Sequence, residues 1–144
     1  MEKSYWGSLT PAQLYARIFG VVYAAVGVAG VLISDQSFFG GDAGDKLIVF
    51  PINYAHDIIH LVIGFALIWG SMKAALAPKS NLAVGVVLAL VAVLGFIGVL
   101  TPDLINDHGV ADDFLHLATA ILAIYFGTAG AGTSAPAAPA APTT

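Results

Sequence analysis

The chain has no cysteine, so disulfides, thiolate metal sites and cysteine nucleophiles are all excluded. Charge is equally scarce: five basic and nine acidic residues make up only 10% of the 144 positions. No basic cluster exists for nucleic acid or for an anionic surface. What fills the chain instead is apolar, with 58% hydrophobic residues and a mean hydropathy of +0.88. Soluble domains do not reach such values. The chain therefore reads as an integral membrane protein whose first partner is the lipid bilayer.

Four apolar runs approach the roughly 20 residues that a spanning helix needs. In lipid every backbone polar group must be satisfied within the segment, so runs of this length form helices. The expected architecture is all-α: one four-helix transmembrane domain over residues 1–130, with helices at about 14–34, 53–72, 81–101 and 112–130. Ser8 or Thr10 is placed to cap the first helix, with Pro11 in its tolerant first turn. Lys3, Tyr5, Trp6, Tyr15 and Arg17 precede or open that run, and no Ala-x-Ala site follows it, so it reads as a retained helix and not a cleaved leader. Residues 131–144 are rich in alanine and proline, bury nothing, and read as a disordered tail.

Polar residues in the apolar runs are few and patterned. Asn53, His56, Asp57, His60 and Gly64 fall within an arc of about 100° on one helix. Asp112, Asp113 and His116 open the last run, and an offset of 56 residues lays His60 on His116 and Asp57 on Asp113. An offset of 65 lays Gly20, Ala24 and Gly30 on Gly85, Ala89 and Gly95. The pattern predicts two parallel two-helix repeats, which bring both histidine segments to one depth on the same side. The small residues at helical spacing read as ordinary packing positions.

Charge by side fixes the expected orientation. Lys3, Arg17, Lys73 and Lys79 fall on one side and only Lys46 on the other, which puts both termini in the cytoplasm of a bacterial inner membrane. Eight of the nine acids then lie outside. The loop Gly41–Asp45 has a weak glycine-aspartate likeness to a calcium loop and reads as a solvated turn, while the apolar Leu47–Pro51 is expected at the interface.

Ionisable side chains inside a membrane segment are costly and normally pair with one another inside the bundle. Three readings of this cluster stay open. In the first, histidines and the structural polar residues Asn53, Asp57 and Asp113 tie helices together. In the second, His56, His60, Asp112 and His116 form two i,i+4 ligand pairs for a divalent metal such as zinc. In the third, His60 and His116 are axial ligands to haem.

Thr10-Pro11-Ala12-Gln13-Leu14-Tyr15-Ala16 with Gly20, Asn53-x-x-His56-x-x-x-His60-Leu61-x-x-Gly64, and Asn106 followed by Asp112-x-x-x-His116-Leu117 together carry a likeness. They resemble the bacterial four-helix membrane family called domain of unknown function 4383, over about residues 8–130. That family usually has asparagine where this chain has Asp57 and Asp113, and the resemblance implies a fold and no activity. With no catalytic loop and no nucleotide motif, the chain reads as a non-enzymatic accessory or stabilising subunit of a membrane assembly, or as a homo-oligomer. No cofactor is expected on that reading. The alternative is a metal- or haem-binding membrane module.

Overall fold

The computed structural model describes residues 9–34, 38–39, 46–100 and 109–132. Four helices account for most of them: α1 (Pro11–Ile33), α2 (Tyr54–Ser71), α3 (Ala77–Phe96) and α4 (Gly109–Gly127). Each is long and apolar enough to cross a membrane, at 23, 18, 20 and 19 residues respectively. The protein is a multi-pass four-helix bundle. Lys3, the Gly41–Asp45 turn, Asn106 and the tail from Thr133 onward lie outside the described residues.

Local chemistry sets the helix ends. Thr10 caps α1: its side chain accepts from the Gln13 N–H, and the Gln13 side chain accepts from the Thr10 N–H. Two N–H groups that the first turn would otherwise strand are thereby satisfied. Asn53 caps α2, accepting from the His56 N–H at 2.8 Å. Pro78, which belongs to the connection by sequence, sits in the first turn of α3 and lets it begin four residues before the expected start. That helix also stops early, because Gly98 adopts a φ of 69°. The Gly98 N–H then donates to the Gly95 carbonyl and the Val99 N–H to that of Leu94, the paired bonds of a Schellman stop.

α1 packs along α2 and α3 along α4, and the two pairs meet face to face. Glycine makes the close approach possible: a Cβ on Gly64 would stand 2.6 Å from the Ala24 nitrogen, and one on Gly85 2.9 Å from that of Ile124. Without water to drive association, this backbone contact is what holds helices together in lipid. Between the pairs lie Ala16, Tyr23, Ile63, Leu67, Val84, Leu88 and Ala120.

The bundle has two chemically different ends. At the end that holds the α2–α3 turn, Gln13 Nε2 donates to the Ser71 carbonyl at 2.9 Å and Asn81 Nδ2 to that of Ala12 at 3.0 Å. The backbone N–H of Ala12 donates to the Ala131 carbonyl, which brings the first residue of the tail back to the start of α1. At the opposite end the segment before α2 forms a two-residue antiparallel ladder, β1 (Lys46–Leu47) with β2 (Phe50–Pro51). This hairpin packs beside α1 and α4. Its tip is apolar, with Ile48 85% exposed and in the left-handed region at φ 64°.

Candidate metal centre at the histidine end

His56 and His60 project from the first two turns of α2, and His116 projects from the second turn of α4. The helical spacing of four residues places the first two one above the other on one face. The capped start of α2 fixes that face toward α4. All three rings are buried, at 4%, 9% and 4% exposure. Each offers a ring nitrogen within 4.8 Å of the other two. The ring centroids of His56 and His60 are 4.4 Å apart, and His116 lies 6.0 and 6.1 Å from them.

A cavity of about 40 Å³ opens beside the rings, walled by Ile59, Ile63, Val87, Leu88 and Val91. A water needs at least about 10–15 Å³ of such space, so there is room for an ion with a water. The walls are aliphatic. Any ligand there draws its polar partners from the imidazoles.

Asp112 stands at the mouth of the cluster and is 3% exposed. Its Oδ2 is 3.6 Å from His116 Nδ1 and 3.8 Å from His56 Nε2, which sets one carboxylate oxygen between two rings of different helices. The other two aspartates point elsewhere. Asp57 leaves the histidines and turns to α1, where it accepts from the Ser34 hydroxyl at 2.7 Å. A Cβ on Gly30 would overlap that carboxylate, so the glycine is what admits it. Asp113 meets Gly95 of α3 in the same way. Asn53 serves as the cap of α2. The residues grouped by sequence as one polar cluster are thus divided between the space among the rings and the two helix-pair seams.

Two residues that sequence reading passed over complete the surroundings. Tyr23 of α1 sets its ring edge-on to His60, with centroids 5.1 Å apart. Its hydroxyl is 3.1 Å from the Thr119 hydroxyl, which also donates to the Leu115 carbonyl at 2.9 Å. This bond ties α1 to α4 immediately below the rings. The signals were present: Tyr23 is a lone phenol inside an apolar run, and Thr119 follows His116 by three on the same face.

No curated protein and no solved structure matches this chain. A family described as a domain of unknown function (DUF4383) matches residues 13–129, which runs from the first turn of α1 past the end of α4 and includes every member of the histidine cluster. The chain belongs to that family.

Proposed function

We propose that this protein is a membrane module that holds one divalent first-row metal ion, zinc or a neighbour, through His56, His60 and His116. The observation that carries the reading is the convergence of three buried imidazoles from two helices, with ligand nitrogens within 4.8 Å of one another. Tetrahedral Zn–N bonds of about 2.0–2.1 Å would draw the nitrogens to roughly 3.4 Å, a closure that small ring rotations supply. Imidazole suits zinc, copper, nickel and iron, and no hard oxygen cage for calcium or magnesium accompanies it.

Asp112, a fourth ligand on the sequence reading, takes a different role here. Its Oδ2 lies 3.8 Å from His56 Nε2 and 3.6 Å from His116 Nδ1, beyond hydrogen-bond length, and would accept from those nitrogens once the rings turn onto an ion, holding tautomer and orientation. The fourth coordination position then faces the aliphatic cavity. A macrocycle needs roughly 300 Å³ or more, so the cavity of about 40 Å³ favours a bare ion over haem.

The internal duplication supports the same picture. Gly30 against Asp57 and Gly95 against Asp113, and likewise Gly20 against Ile68 and Gly85 against Ile124, recur at the offsets of 65 and 56 residues read from the sequence. Two copies of one helix pair bring His60 and His116 together, and His56 and Asp112 fill the equivalent places beside them. Arg17, Lys73 and Lys79 at the turn end support cytoplasmic termini in a bacterial inner membrane, which sets the metal at the outer side. The protein acts without catalysis, as an accessory subunit that presents the ion to a larger assembly or to a second copy.

Elemental analysis of the detergent-purified protein tests the reading against a His60→Ala, His116→Ala double variant. A near-stoichiometric transition metal lost in the variant is the expected result. Metal in neither protein would leave the histidines as ties between α2 and α4.

A further inference from the structure

The lipid-facing side of the α1–α2 pair is not smooth. At the turn end a groove of about 640 Å³ is lined by Arg17, Ile18, Val21, Val22, Ile68 and Met72. It continues through Val21 and Ile68 into a second hollow of about 480 Å³ that reaches Leu32, with Ala24, Ala25 and Ala29 forming its shallow floor. From Arg17 to Leu32 the helix rises about 22 Å, more than the roughly 15 Å of one leaflet's hydrocarbon. One extended acyl chain fits along it.

The charge at its head selects the occupant. Arg17 is the single charged residue of α1, and it stands where a groove otherwise lined by apolar side chains and Ser71 meets the turn end. Lys73 is exposed one residue beyond Met72 at the same end. Every acid among the described residues, namely Asp57, Asp112 and Asp113, lies at the opposite end of the bundle. A planar guanidinium binds a phosphate through two parallel bonds, and basic pockets beside membrane helices recruit anionic headgroups.

We propose that this groove is a binding site for an anionic phospholipid, with its phosphate on Arg17 and Lys73 and one acyl chain along Ile18, Val22 and Ile68. The site is separate from the metal centre. It stands whether or not the histidines hold an ion.

The test uses the full chain in phosphatidylcholine bilayers and measures association of spin-labelled phosphatidylglycerol against spin-labelled phosphatidylcholine. Wild type is expected to favour the anionic lipid roughly fivefold or more. Arg17→Gln with Lys73→Gln should bring the ratio to unity, and Arg17→Lys should restore part of it. Val21→Trp fills the groove without touching a charge and should weaken the preference as well. All these positions face lipid or the interface, and circular dichroism confirms that each variant keeps its helices. Equal association in wild type, a preference that survives the double charge variant, or one untouched by Val21→Trp would each overturn the site.

Discussion

At the residue scale, Asp112 has the most specific placement, because one oxygen lies 3.6 and 3.8 Å from ring nitrogens of two imidazoles. Asp112→Asn keeps the shape and removes the charge set between the two rings. Metal affinity should fall about 10- to 100-fold, read by competition with a chromophoric chelator, while the helical circular dichroism spectrum stays unchanged. A retained affinity would mean the carboxylate orients nothing. Glycine offers a second test, since Gly64 abuts the Ala24 backbone while Gly109 has open space around its Cβ position. Gly64→Ala should destabilise by about 1–3 kcal/mol as α1 and α2 are forced apart. Gly109→Ala should be neutral by comparison. Thermal unfolding in detergent measures both, and equal effects would remove close packing as the reason for Gly64.

At the element scale, the hairpin before α2 carries a β-branched residue where its two-residue turn demands a positive φ. Ile48 is also 85% exposed, so little burial is lost when it is replaced. Ile48→Gly relieves strain of about 1–3 kcal/mol, partly offset by roughly 1 kcal/mol of unfolded-chain entropy. A modest rise in melting temperature is expected, and a fall would place the isoleucine side chain in a contact of its own. Thr10 with Gln13 opens α1, Asn53 opens α2 and Gly98 stops α3, and of these the sequence marks the Thr10 cap. The third helix, expected over about 81–101, instead begins at Ala77 ahead of Pro78 and ends before Gly98. A proline is as compatible with a first turn as with a loop, and only packing of Ala77 and Asn81 into the bundle decides between them.

At the scale of the whole molecule, the proposed metal across α2 and α4 would link folding to ion concentration and to pH. An ion held only by the folded state adds about 2.7 kcal/mol when present at 100 times its dissociation constant. Ligand histidines must be deprotonated to bind, so the gain should be larger at neutral pH than in acid. Melting curves with and without zinc at several pH values check this. A zinc-independent melting temperature throughout would be incompatible with a site joining the two helix pairs.

By itself the sequence determined the medium, the four helices and the helix face on which each histidine lies. Those follow from local physics: the transfer of apolar side chains, the need to satisfy the backbone in lipid, and the helical period. It also displayed the repeated offsets that pair Gly30 with Gly95 and Asp57 with Asp113. The tertiary structure alone decided how the polar residues are shared. Asp57 and Asp113 face the glycines of their own partner helices, Asp112 stands between rings of two helices, and Tyr23 closes against His60. The three aspartates are chemically identical. Which one meets a histidine depends on how the helix pairs rotate and approach, and that is set by small residues far along the chain.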